Sequence, residues 1–452
     1  MNLLKQIPQL DKFIQYIAFK DFKISLLKPL AKEVLEEFRQ DILKEKIDNF
    51  DENELILKVK KKYKDILKPS LVPLINATGI IIHTNLGRSL VSKEMAQKVQ
   101  PLLSSYNNLE YDLEKGKRGQ RYSHLKKLFS RLCACEDVLV VNNNAAAVFL
   151  ILNTFAKDKD VLVSRGELVE IGGSFRIPDI MEQSGARLKE LGTTNKTHFS
   201  DYEKAINENT AMLMKVHKSN FCIKGFCSEV DFEDLIPLAQ KNNIIDYYDM
   251  GSAHIFDLPF GLKEPKLLDY MKKNPSLLSF SGDKLFGSIQ AGIILGKKEL
   301  IAKLKKNQLL RMLRVDKLSL ALLEEHLRAL ILEDLEKIPT LKMLYTPLDK
   351  LKKRAEALKS KLKNTKILEE ELLILQGQTP LGGGSNPEEK IPTFVLALKF
   401  KNQKTKILEE KLRANGVICH IEKDACLIDF RSIQENEDGI LEQIIKKVLL
   451  ND

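Results

Sequence analysis

Long apolar stretches are missing from this chain of 452 residues. No run of 18 apolar residues occurs, so the sequence offers no membrane-spanning helix. The opening "MNLLKQIPQLDKFIQYIAFK" is broken by charges every few residues and lacks the apolar segment of a signal peptide; the chain is expected to stay in the cytoplasm. Cysteine is scarce as well. Of six, only Cys133 and Cys135 lie close together, a C-x-C without the second pair or the histidine spacing of a zinc site. No metal is therefore expected, and the thiols read as reduced and structural. Internal repeats and low-complexity tracts are also lacking.

What is present is a composition of 44% hydrophobic and 30% charged residues, that of a soluble globular protein of two or three domains. The formal net charge of +10 and the pI near 9.0 suit a polyanionic partner, although lysine-rich composition also serves solubility alone.

Three regions follow one another. Residues 1–70 alternate apolar and charged positions at helical spacing, as in "KEVLEEFRQDILKEKIDNF" and "ENELILKVKKKYKDIL", and Pro69 and Pro73 close the segment. From 71 to 338 short β-branched runs alternate with helical stretches, which predicts an α/β domain with a mainly parallel sheet. Its last part, "KKELIAKLKKNQLLRMLRVDKLSLALLEEHLRALILEDLEKI", is helical by period and ends at Pro339. Residues 339–452 hold "IPTFVLALKF", a helix over Lys404–Ala414, "GVICHI" and "ACLIDFRSI", the pattern of a small α+β domain. The lysine-rich "PLDKLKKRAEALKSKLKNTK" reads as a solvated helix face.

Ligands of open α/β folds bind beyond the carboxyl ends of the strands, and three such ends carry chemistry. In "VLVVNNNAAA" a strand runs into a helix start whose amides, at Asn144 and Ala145, suit a phosphate. In "NIIDYYDMGSAH" Asp249 could hold a ring nitrogen protonated. In "LLSFSGDKLFGS" Lys284 follows a strand, with Ser279 and Ser281 nearby, and a desolvated lysine favours Schiff-base chemistry. Taken singly these are a helix cap, a turn aspartate and a loop lysine. In that order they match the layout of fold-type I enzymes that use pyridoxal 5'-phosphate.

A more specific likeness rests on "INATGIIIHTNLGRS", "KGKRGQRYSH", "VVNNNAAAV", "VSRGELVEIGGSFRIPDIM", "GTTNKTHFSDYEKAI", "KVHKSNF", "SGDKLFGSIQAGIILGKKELI" and "LLRMLRVDKLSLALLE". In these motifs, continued by "TPLGGGSNPEEKIPTF" and "CLIDFRSI", the chain resembles the bacterial selenocysteine synthases, the L-seryl-tRNA(Sec) selenium transferases. The resemblance implies a fold-type I core, a helical N-terminal domain that binds tRNA, and a homo-oligomer, a decamer built as a pentamer of dimers.

It also implies roles. Lys284 matches the Schiff-base lysine, and Asp249 would face the pyridinium nitrogen. Asn143, Asn144 and Ala145 would cradle the cofactor phosphate with Ser281 as a hydroxyl donor. Asn220 would bond the ring hydroxyl. His217 reads either as part of that site or as a satisfied core residue. Asp283 is a candidate general acid or base, or a carboxylate that only sets the lysine. Arg88, Arg118, Arg121, Arg311 and Arg314 offer planar forks for phosphate-like oxyanions, and in the family the arginines matching Arg88, Arg311 and Arg314 form the selenophosphate site. Arg311 and Arg314, three apart on a predicted helix, would share one face. Arg431 is read as structural.

The implied reaction removes the Cα proton and the β-hydroxyl of seryl-tRNA(Sec), leaving dehydroalanyl-tRNA, to which selenophosphate supplies selenium. Two readings compete: a related ammonia-lyase acting on a phosphorylated sugar acid, and a tRNA-binding protein that keeps the fold without the reaction.

Overall fold

Helical spacing at the start of the chain becomes a separate unit, Met1–Pro73, and residues Leu74–Asp452 form the second. The structure is a computed structural model and describes residues 3–47, 49, 51–171, 175–363, 372–383, 389–400 and 404–450. The "GGS" of one family motif, the "GSNPE" of another and the "NTK" that ends the lysine-rich helix lie outside the described residues. No helix among those described is long and apolar enough to cross a membrane. All six cysteines are free thiols.

In the first unit, α1 (Ile24–Leu43) places Leu27, Ala31, Val34, Leu35 and Phe38 on one stripe. They bury with Leu55 and Val59 of α2 (Glu52–Leu67) and with Phe13 and Phe19. Asp51 caps α2 by accepting from the Asn53 amide at 2.8 Å. Two of the α2 lysines are engaged: Lys58 pairs with Glu54 at 2.9 Å, and Lys62 lies between Glu33 and Glu37 at 2.6 and 2.7 Å.

The second unit is built on seven strands: β1 (Asp137–Val141), β2 (Asp160–Ser164), β3 (Arg187–Leu191), β4 (Thr210–Val216), β5 (Ile245–Gly251), β6 (Leu277–Ser281) and β7 (Gly292–Gly296). Their order is β1-β7-β6-β5-β4-β2-β3. All run in one sense except β7, which is antiparallel to both neighbours. The apolar runs are continuous because the sheet has a core on each side: Val138 and Val140 point into one, Leu139 and Val141 into the other. This is the mainly parallel fold-type I core expected from the sequence.

The helical expectation over 297–338 is only partly met. With Asn144–Phe155 as α3, the segment forms α4 over Lys298–Lys306, a single turn at Leu310–Leu313, and α5 over Lys317–Ile331. Asp316 starts α5 by accepting from the amides of Leu318 and Ser319. Arg314 before it is extended (φ −73°, ψ 139°) and bridges Val141 at the end of β1. The shared helical face expected for Arg311 and Arg314 therefore does not form.

At the C-terminal end, β8 (Leu372–Pro380), β9 (Lys390–Leu398), β10 (His420–Glu422) and β11 (Ala425–Asp429) form an antiparallel sheet in the order β8-β9-β11-β10. One face packs on α6 (Leu348–Lys363), α7 (Thr405–Ala414) and α8 (Asp438–Leu450). The lysine-rich α6 buries Leu351, Ala355, Leu358 and Leu362. Ile75–Asn76, at the start of the region predicted as core, pairs instead with Val417–Ile418 beside this sheet. Arg431 is fully buried and donates to the carbonyls of Pro392, Met343 and Thr346, a structural cross-link.

Candidate active site

Strand order decides where the chemistry collects. β1, β6, β5 and β4 all end at the same edge, and β7 begins there. After β1, Asn143 caps α3 by accepting from the Ala146 amide at 2.9 Å. The amides of Asn144 and Ala145 are among those a helix start leaves without an intrahelical acceptor. Gly292 opens β7 directly beneath this turn: a Cβ there would lie 2.1 Å from the Asn143 carbonyl oxygen, so only glycine lets the turn pass.

Asp249 near the end of β5 is buried. Its carboxylate accepts from Asn144 Nδ2 at 2.7 Å and from the Gly251 amide at 3.0 Å. Burial raises its pKa, while these hydrogen bonds and the charge of Lys284 oppose the rise. Lys284 follows β6 and is buried, not the exposed loop lysine that composition alone would suggest. Burial pushes its pKa down, and the charge of Asp249 resists most. Ser281 closes β6 and is buried.

Asp283 forms an ion pair with Arg88, Nη1 to Oδ2, at 2.8 Å. The pairing is reinforced by the Ser89 amide on the Asp283 carbonyl and the Ser89 hydroxyl on the Lys284 carbonyl. Arg88 sits in the left-handed region (φ 62°). His217 follows β4; its amide donates to the Asp249 carbonyl at 2.9 Å, and its Nε2 lies in hydrogen-bond contact with the Glu264 carboxylate at 3.0 Å. Asn220 is turned toward another partner, donating to the Glu170 carbonyl at 2.7 Å.

The remaining four arginines form a second cluster. Arg118, Arg121, Arg311 and Arg314 line a cleft of about 460 Å³ with Lys305 and Lys306, and Arg88 is not among its lining residues. Glu110, which the sequence analysis did not single out, is the common counter-ion of three of them: Arg121 donates to it at 3.0 Å, with Arg118 at 3.6 Å and Arg314 at 3.7 Å. The hydrogen bond from Arg121 holds the Glu110 carboxyl below its ordinary range. This cleft adjoins the helix start, since the Asn142 amide donates to the Leu313 carbonyl at 2.9 Å. A larger cavity, about 940 Å³, lies on the outer face of the C-terminal sheet and contains neither Lys284 nor Asp249. The candidate residues sit at the strand ends, not in that larger cavity.

The edge residues fit pyridoxal 5'-phosphate. A buried lysine faces a buried carboxylate, helix-start amides lie over a glycine, and Asn144 Oδ1 and Asn220 Oδ1 are buried without a hydrogen-bond partner among the described residues. Those orphaned acceptors are what a bound polar group would satisfy.

The family model for L-seryl-tRNA selenium transferase (SelA) matches residues 74–434. The chain belongs to the L-seryl-tRNA selenium transferase family. It is 59% identical over 450 residues, 99% of each chain, to the L-seryl-tRNA(Sec) selenium transferase of Aliarcobacter butzleri. It is 57% identical, again over 99% of each, to that of Sulfurimonas denitrificans, and 45% identical over 97% of each to that of Campylobacter jejuni. The transferase relatives thus span the N-terminal unit as well as the core. Among solved structures, D-glucosaminate-6-phosphate ammonia-lyase superposes with a TM-score of 0.59 at 19% identity, over 86% of this chain and 98% of that one. That likeness speaks for the fold of the transferase family alone.

Proposed function

We propose that this protein converts L-seryl-tRNA(Sec) to L-selenocysteinyl-tRNA(Sec), with pyridoxal 5'-phosphate as cofactor and selenophosphate as selenium donor. The observation that carries the reading is the buried Lys284 opposite the buried Asp249 at the strand ends of a chain that matches selenium transferases over nearly its whole length. When bound, the cofactor supplies an electron sink for the pair left at Cα.

The chain's own residues do the rest. Lys284 would hold the cofactor and, when free of it, would take the Cα proton; burial lowers the pKa of its amine, the direction a base there needs. Asp249 would hold the ring nitrogen, and a cation there would favour its ionised form against the effect of burial. The amides of Asn144 and Ala145, with Ser281, hold the phosphate. Asp283, oriented by Arg88 and next to the lysine, would relay the proton taken from Cα to the departing β-oxygen. The Cβ–O bond breaks, water leaves, and dehydroalanyl-tRNA remains. Selenium then bonds to Cβ, Cα regains a proton, and the phosphate of the donor is transferred to water.

The arginine cleft suits the selenophosphate, which Arg311 would help bind and whose charge would displace Glu110 as the partner of Arg118, Arg121 and Arg314. The N-terminal unit would bind the tRNA. A cytoplasmic homo-oligomer, a decamer, completes the proposal. An ammonia-lyase acting on a phosphorylated sugar acid is disfavoured because the matched transferases include the N-terminal unit.

The test is Lys284→Ala. The variant should fold, lose the absorbance of the bound cofactor and transfer no selenium to tRNA. Retained turnover would remove the reading.

A further inference from the structure

Glu264 lies 47 positions from His217 in the chain, in a loop after β5, yet its carboxylate meets the His217 ring at 3.0 Å. The Glu264 side chain is only 1% exposed. Its backbone is fixed as well: His254 contacts the Glu264 carbonyl at 2.8 Å through Nε2 and the Phe256 carbonyl at 2.7 Å through Nδ1. The neighbouring Lys263 amide donates to Glu389 at 2.8 Å. The carboxylate is therefore delivered to one place.

With the Glu264 carboxylate as acceptor, the His217 nitrogen facing it carries the hydrogen. That contact settles the ring's orientation and leaves Nδ1 as the nitrogen free to act elsewhere. The His217 backbone is tied to Asp249 on the adjacent strand, and the charge of Glu264 is felt at Lys284. We propose that Glu264 is a positioning residue: it holds the His217 ring so that His217 forms one wall of the cofactor pocket beside Asp249. The proposal rests on the cofactor reading given above.

The experiment is a titration of cofactor-free enzyme with pyridoxal 5'-phosphate, followed by absorbance, for the wild type, Glu264→Leu, Glu264→Gln, His217→Leu and the double variant Glu264→Leu/His217→Leu. Glu264→Leu should weaken cofactor binding by about tenfold, the size of one lost hydrogen bond. Glu264→Gln, whose amide oxygen still accepts from Nε2–H, should stay within about threefold. Glu264→Leu should cost nothing further in the His217→Leu background, since its effect runs through the ring. Wild-type binding by Glu264→Leu overturns the proposal, as does an equal loss with and without His217. Should Glu264→Leu not fold, Glu264→Asn, whose shorter chain cannot reach the ring, takes its place against Glu264→Gln, and equal binding by those two is then the contrary result. A wild type that binds no cofactor would defeat the cofactor reading itself, a separate outcome.

Discussion

The Arg88 guanidinium meets the Asp283 carboxylate at 2.8 Å, one position before Lys284 in the chain. The Asp283 side chain is buried at 8% exposure, and Arg88 is its ion-pair partner. Arg88→Ala should cost about 3 kcal/mol of stability, because it strands a buried carboxylate. Adding Asp283→Asn should restore most of that loss in urea unfolding without restoring selenium transfer. Recovery of both stability and turnover would show that the pair is structural.

The arginine cleft is expected to act on the donor and not on the cofactor. Arg311→Ala and Arg314→Ala should each raise the selenophosphate requirement by about tenfold, the loss of one charge-assisted contact of roughly 1.5–3 kcal/mol. Cofactor absorbance should be unchanged. Loss of the cofactor from either variant would mean that the cleft, which adjoins the helix start at Asn143, serves the cofactor phosphate instead.

Ion pairing in the N-terminal unit divides its lysines into two groups. Lys58 and Lys62 already have carboxylate partners, whereas Lys61 and Lys64 are exposed on α2. Reversing Lys61 and Lys64 to glutamate should weaken tRNA(Sec) binding and flatten its dependence on salt, and the same change at Lys58 should do less. Filter binding over a salt series reads both quantities. Equal effects from the two groups would place the RNA contact elsewhere.

His326 of α5 lies fully inside the core, 4.9 Å from the Phe286 ring, and burial pushes its pKa down to about 3. The unfolded chain therefore binds a proton below pH 6.5 that the folded chain refuses, so this group removes stability as the pH falls. Between pH 7 and pH 5 the loss should be about 2 kcal/mol. His326→Leu should remove that component, seen as a smaller shift in urea midpoint between the two pH values.

Much of the site was legible because its residues follow strands. Asn144, Asp249 and Lys284 each come directly after a buried β-rich run, and a parallel sheet brings such positions to one edge. Glu264 was not legible, since nothing in the local sequence ties it to His217 across 47 positions. Glu110 was missed although it stands among the basic residues it neutralises; opposite charges at that spacing were the available signal. The misreading of Arg314 has a local cause. "LLRMLR" continues the helical period, but Asp316 is a helix cap, and the chain must extend before it to begin α5. The pairing of Ile75 with Val417 is a long-range contact that no local pattern announces.

The most direct measurement offers the holoenzyme two substrates in parallel. Seryl-tRNA(Sec) is supplied with and without selenophosphate, and a phosphorylated amino-sugar acid is supplied alone. Selenocysteinyl-tRNA(Sec) should form only when the tRNA and selenophosphate are both present, and the sugar acid should release no ammonia. Ammonia release from the sugar acid, with seryl-tRNA(Sec) left unchanged, would contradict the assignment.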